Sequence, residues 1–229
     1  LLPLWRLKGS LTLKTPLSIG SGRDVPIALQ EKTGQEGERH VIGVVRDQQG
    51  RPYIPAASLK GALNALAGEA GLDAELRQQL FGHEQGNTTR AALIEFRNLY
   101  ITAGAPQGDS LPNWDRENHP HTANLAHVVR NRDTGAAQDK LLFIEQVVPP
   151  GATFGLECTP RAIDQNAIEA LLGLLALAGN EASPLRLGGG KAADNGRIAW
   201  QFDELRGIED LTGLWQSLSA ENAHAGLDL

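Results

Sequence analysis

The chain contains no methionine and a single cysteine, Cys158. One thiol set among apolar neighbours excludes an internal disulfide and a cysteine metal cage, and predicts a buried structural side chain. No run approaches the roughly 20 apolar residues that span a bilayer. The opening Leu1-Leu2-Pro3-Leu4-Trp5 meets charge at Arg6, too early for a signal peptide. These absences predict no membrane partner and a cytoplasmic location; the missing methionine and the first residue Leu1 also predict a chain that begins inside a longer gene product. Although aromatics make up only 5% of the 229 residues, 41% are hydrophobic and 21% charged. That balance excludes disorder and collagen and predicts one globular domain with insertions.

Positive charge is also in deficit, with 21 Lys and Arg against 27 Asp and Glu, a net −6. Taken whole, this argues against a nucleic-acid binder. The deficit is uneven. Residues 1–60 carry nine basic and five acidic groups, whereas residues 201–229 carry one and six, so the tail supplies −5 and the body is close to neutral. A local basic surface fits this distribution, and so does a solvated face of mixed charge.

Trp5, Leu7, Leu11 and Leu13 alternate with polar residues, which predicts a first strand with one wet face. Pro16, Gly20 and Gly22 then predict a loop extending through the polar residues 30–40. A short apolar piece at 41–45 and a turn at Asp47-Gln48-Gln49-Gly50 lead to a helix with Ser58 as N-cap and Leu59, Leu63 and Leu66 on its buried stripe. A small helix at 73–80 and a second core strand at 93–101 follow. Residues 102–125 read as an insertion or loop. Residues 141–148 and 153–158 read as a strand pair or a kinked strand. Asp164 caps the most hydrophobic helix, 167–178, which Gly179 stops, and 197–202 is the last strand. The order β-α-β-β-α-β is the ferredoxin-like pattern of the α+β class.

Four sets of residues are candidates for chemistry. Gly188-Gly189-Gly190-Lys191 is not a P-loop, because Ala192 follows the lysine and Leu185 stands where the first glycine belongs. Three glycines can still admit a partner backbone, with Arg186, Lys191 and Arg197 supplying cations suited to a polyanion. At Ser58, Lys60 and Gly61 a helix start with an ammonium in its first turn can hold phosphate. Arg130, Arg132 and Lys140 flank Asp133-Thr134-Gly135, like the basic tip of a projecting hairpin. Asp24, in the glycine-opened loop beside Arg23, can act as a base or hold a metal. His119 and His121 lack a ligand partner at a familiar spacing.

Taken in order, these motifs resemble one family. Leu17-Ser18-Ile19-Gly20-Ser21-Gly22, the stretch Gly50-Arg51-Pro52-Tyr53-Ile54-Pro55-Ala56-Ala57-Ser58-Leu59-Lys60-Gly61, Arg130-Asn131-Arg132-Asp133-Thr134-Gly135 and Arg186-Leu187-Gly188-Gly189-Gly190-Lys191 are similar to the RAMP superfamily of CRISPR systems. The similarity is greatest to the repeating backbone subunit of type III effector complexes. It implies a ferredoxin-like, RNA-recognition-like palm at about 1–101 and 141–203, with an insertion and thumb hairpin at about 102–140 and an acidic tail at 204–229. It also implies a single RAMP domain whose copies, or other RAMP subunits, stack along a guide RNA (crRNA) and contact target RNA. Ser58, Lys60, Gly61, Arg186 and Gly188 to Lys191 would then meet guide phosphates, and 127–140 would wedge the guide-target duplex. An aspartate after the first strand cuts target RNA with a divalent metal in such complexes, which makes Asp24 with Mg2+ the candidate here. The alternatives are a metal-dependent target endoribonuclease built on Asp24 and a guide-processing endoribonuclease using histidine acid-base chemistry.

Overall fold

A computed structural model describes residues 5–30, 36–85, 88–104, 119–130, 137–161, 165–180, 185–190 and 194–206. Among them the elements run β1 (Arg6–Leu13), β2 (Gly20–Gln30), β3 (Glu36–Val44), β4 (Tyr53–Ile54), α1 (Ala56–Glu69), α2 (Ala74–Phe81), β5 (His83–Gln85), β6 (Thr88–Arg90), β7 (Ile94–Phe96) and β8 (Leu99–Ala103). They continue with β9 (Ala123–Arg130), β10 (Ala137–Val147), β11 (Thr153–Pro160), α3 (Gln165–Ala178) and β12 (Ile198–Arg206).

The palm is an antiparallel sheet in the order β12-β1-β11-β8-β4, with β7 also paired to β11. The first strand thus lies between the last strand and the third palm strand, as the ferredoxin-like pattern requires. Strict alternation explains it. β11 reads half-buried, buried, four times over, and Leu7, Leu11 and Leu13 of β1 join Phe154, Leu156 and Cys158 in one core. α1 and α3 pack side by side over this face. Ten residues of α3 are buried, and each fully buried leucine among them contributes on the order of 2 kcal/mol. Cys158, 1% exposed, is the predicted structural thiol, and burial pushes its pKa far up. No helix among the described residues is long and apolar enough to cross a membrane.

Several expectations are corrected. The stretch read as a loop from Gly20 onward is the antiparallel hairpin β2–β3, so Asp24 lies on a strand opposite Ile42. Its glycines mark a register shift between Gly20 and Asp24, which is a bulge within pairing and not an escape from it. Ser58 is no N-cap. α1 begins at Ala56 with Pro55 in the capping position, and the Asn98 side chain, Oδ1 accepting from the Ala56 amide at 2.9 Å, supplies the missing cap from 42 residues away. The strand expected at 93–101 breaks into β7 and β8, with Asn98 in the break. Residues 141–158 form neither a hairpin nor one strand, since β10 pairs with β9 and β11 with β1. The loop read at 102–125 shortens at both ends, because β8 reaches Ala103 and β9 begins at Ala123. The small β5–β6 hairpin has no counterpart in the sequence reading. Asp164 lies outside the described residues.

Candidate nucleic-acid interface

Leu17, Ser18 and Ile19, just after β1, form a hub. Leu17 bridges to Val148 at the end of β10, and Ser18 bridges to Gly189. The Gly189 amide donates to the Ser18 carbonyl at 2.7 Å, and the Val45 amide, beyond β3, donates to the Ile19 carbonyl at 2.9 Å. The Ser18 hydroxyl donates to the Glu145 carboxylate on β10. One short segment therefore joins the glycine run, the base of the β9–β10 hairpin and the end of the β2–β3 hairpin.

The glycine run is demanded by this seat. Gly188 has φ +76°, and a Cβ there would collide with the Ser18 carbonyl oxygen, so no other residue fits without displacing the hub. Gly189 and Gly190 keep an exposed side. Of the three cations expected around them, Arg186 pairs with Asp194 at 2.8 Å and Arg197 approaches the same carboxylate at 3.7 Å. Lys191 lies outside the described residues. Asp194 is a counter-charge that the sequence reading missed, as it missed Glu145 as the acceptor of the Ser18 hydroxyl; Asp194 stands three residues beyond Lys191, but nothing in its spacing reveals which cation it meets.

At the start of α1, Ser58 and Gly61 are exposed and Lys60 is half-buried. The Ala56 amide is taken by Asn98 and the Ser58 amide by the Pro55 carbonyl, so this end offers an anion fewer free amides than an uncapped helix would. Beside it the turn at residues 47–51 is tightly organised. The Asp47 carboxylate accepts from the Gln49 amide at 2.9 Å and from the Arg51 amide and Nε at 2.8 Å each. Partial desolvation pushes the Asp47 carboxyl up, but these bonds and the Arg51 charge outweigh it and hold the carboxyl below its ordinary range. Arg46, its pKa lowered by burial, donates to the Gly50 and Pro120 carbonyls and the Thr122 hydroxyl.

The basic hairpin is present as β9–β10, with Arg130 opposite Ala137 and Lys140 on β10; Arg132 and the tip lie outside the described residues. Gln146 at its base accepts from the Val44 amide at 3.1 Å, which ties β10 to β3. Asp24 is exposed, and two residues beyond it the Pro26 carbonyl lies 3.1 Å from His119 Nε2. Among the described residues no three His, Cys, Asp or Glu are grouped to hold a metal ion. Asp24 therefore brings one carboxylate of its own, and a Mg2+ held there would draw its remaining ligands from water and from RNA phosphate oxygens.

No curated protein matches the chain by sequence. Among solved structures, a chain of type III-B Cmr-beta bound to cognate target RNA is 16% identical with a TM-score of 0.57, covering 90% of this chain. This chain spans 61% of the length of that relative. A chain of apo type III-B Cmr-beta is 14% identical, with a TM-score of 0.59 over 87% of this chain and 98% of that one. A chain of a type IV-B CRISPR complex is 15% identical, with a TM-score of 0.56 over 89% and 93%. At these identities the likeness is one of fold. The family model of the RAMP superfamily matches residues 10–198. That stretch runs from the middle of β1 to the first residue of β12, taking in most of the palm, the hub and the β2–β3 and β9–β10 hairpins, and the chain belongs to the RAMP superfamily.

Proposed function

We propose that the chain is a guide-RNA-binding backbone subunit of a type III CRISPR effector complex, stacking with other RAMP subunits or copies of itself along the crRNA and contacting target RNA. The hub at Leu17, Ser18 and Ile19 carries the reading. It attaches an exposed glycine connection and the base of the β9–β10 hairpin to the palm as one unit, and a rigid unit of that kind suits a module repeated along a strand. One solved structure of similar fold comes from an assembly bound to cognate target RNA. The charge balance sets the manner of binding. With a net −6 and with Arg186 and Arg197 sharing Asp194, one copy holds RNA weakly, and affinity comes from copies arrayed on one strand.

The test is a salt titration of guide RNA binding by the assembled protein. Replacing Lys60 and Lys191 together by Ala should weaken binding and flatten the dependence of log K on log salt by about 0.7 for each single-strand phosphate no longer neutralised. An unchanged slope would remove both lysines from the interface. In the same assay Asp24→Ala is expected to keep guide affinity within about twofold, as befits an exposed carboxylate that holds no RNA phosphate. Loss of target cutting with guide binding intact would replace the scaffold by the endoribonuclease built on Asp24.

A further inference from the structure

The two tyrosines of the chain, Tyr53 and Tyr100, are 47 residues apart and meet as register partners across β4 and β8. Their ring centroids lie 5.6 Å apart. Tyr100 is 42% exposed, and among the described residues only Ile42 is a comparably exposed large hydrophobic. The Arg51 guanidinium stands 5.8 Å from the Tyr100 ring centroid. Asp47 and the Gln49 side chain both accept from this guanidinium, so it is held in place before any ligand arrives.

These groups border a groove of about 470 Å³ between the 47–51 turn and the edge of the palm, lined also by Gln48 and Asn98. The amide of Asn98 has a determined orientation. Its oxygen accepts from the Ala56 amide, so its NH2 remains as a donor. The groove continues past Asn98 and Tyr100 over the open face of the sheet toward Lys8 and Arg97. An aromatic face, a fixed guanidinium plane and side-chain amides are the combination that receives an unpaired nucleobase. A peptide anchor would need an apolar pocket, and the lining beside the 47–51 turn is mainly polar. A duplex is excluded by the same chemistry, because paired bases keep their faces stacked inside the helix.

We propose that Tyr100, with Arg51 and Asn98, forms a stacking site for one unpaired base of an RNA strand whose phosphates pass the start of α1. The site rests on the RNA-binding reading above and adds to it a contact with a base, where that reading concerns phosphates. Its placement follows from Asn98, which belongs both to the groove and to the first turn of α1.

The experiment measures assembly of the full chain on guide RNA strands that carry their bases and on guide strands of the same length carrying abasic nucleotides. Tyr100→Ala should lower affinity for the base-bearing strand about tenfold with an unchanged salt slope, as expected when stacking is removed and every phosphate remains neutralised. Tyr100→Leu, which keeps apolar bulk against Tyr53, should lose nearly as much, and Tyr100→Phe should stay within about twofold. On the abasic strand all four proteins should bind alike. If Tyr100→Ala and Tyr100→Leu bind the base-bearing strand as wild type does, while the Lys60 and Lys191 variant still flattens the salt slope, the stacking site is overturned and the RNA-binding reading stands. If the wild-type assembly does not bind RNA, both fall. If Tyr100→Leu loses self-association at unchanged RNA affinity, the groove is an interface between copies and the stacking site is overturned.

Discussion

In the palm, Phe154 of β11 has no exposed surface and its neighbours alternate faultlessly between core and open face, whereas in the β2–β3 hairpin Asp24 and its partner Ile42 both face solvent, Ile42 at 57% exposure. The two regions are held by different forces. The palm rests on apolar area removed from water, while the hairpin, beyond Val41 and the core residue Val44 at its inner end, relies on its own backbone ladder and on a few attachments to its neighbours. Those attachments are specific: Val45 to Ile19, Val44 to Gln146, and the Pro26 carbonyl to His119. Each hydrogen bond is worth about 1 kcal/mol net, so the hairpin adapts where the palm cannot. The two regions meet at the segment Leu17, Ser18 and Ile19.

The comparison breaks most visibly at the core. Phe154→Ala should cost about 3–5 kcal/mol and Ile42→Ala less than about 0.5 kcal/mol, measured as shifts in urea unfolding midpoints; equal effects would mean that the outer face of the hairpin is packed as tightly as the palm core. Next is the seat of the glycine run. Gly188→Ala asks a side chain to adopt φ +76° against the Ser18 carbonyl, and should cost roughly 3 kcal/mol, read from thermal melts. A cost below about 1 kcal/mol would show that the run is a pliable connection and no part of a rigid unit.

The smallest effect lies on the open face of the palm. Glu157 accepts from Arg6 at 3.0 Å and stands 3.5 Å from Arg97. The Arg6 hydrogen bond, against some desolvation and with help from the Arg97, Arg6 and Lys8 charges, holds its carboxyl below the ordinary range. A carboxyl depressed in the folded state stabilises the fold above its unfolded pKa of about 4.3 and loses that contribution as pH falls through the folded value. Glu157→Gln should therefore flatten the fall in stability below about pH 4.3 and leave its dependence above pH 6 unchanged. Identical acid profiles for the two proteins would show the pair to be fully screened.

The candidate site was legible in part. The glycine run and the basic hairpin stand where their composition suggested. The acid that meets the cations, Asp194, was not foreseen, because a carboxylate is matched to its cation by backbone geometry that no linear spacing encodes. The two tyrosines escaped for the same reason. Each is an ordinary strand residue until β4 is laid against β8.

What the sequence determined by itself is local. The alternation in β1, β11 and β12 and the apolar run of α3 specify element and buried face together, because side-chain period decides which residues can leave water at once. Only the tertiary structure decided the rest. Glycine-punctuated residues 20–44 became paired strands because each gave the other a ladder partner. α1 began two residues before Ser58 because Asn98, distant in sequence, satisfied the Ala56 amide. Residues 94–103 split in two around that same asparagine. In each case a backbone polar group needed a partner, and the chain could supply it only from a distant segment brought close by folding.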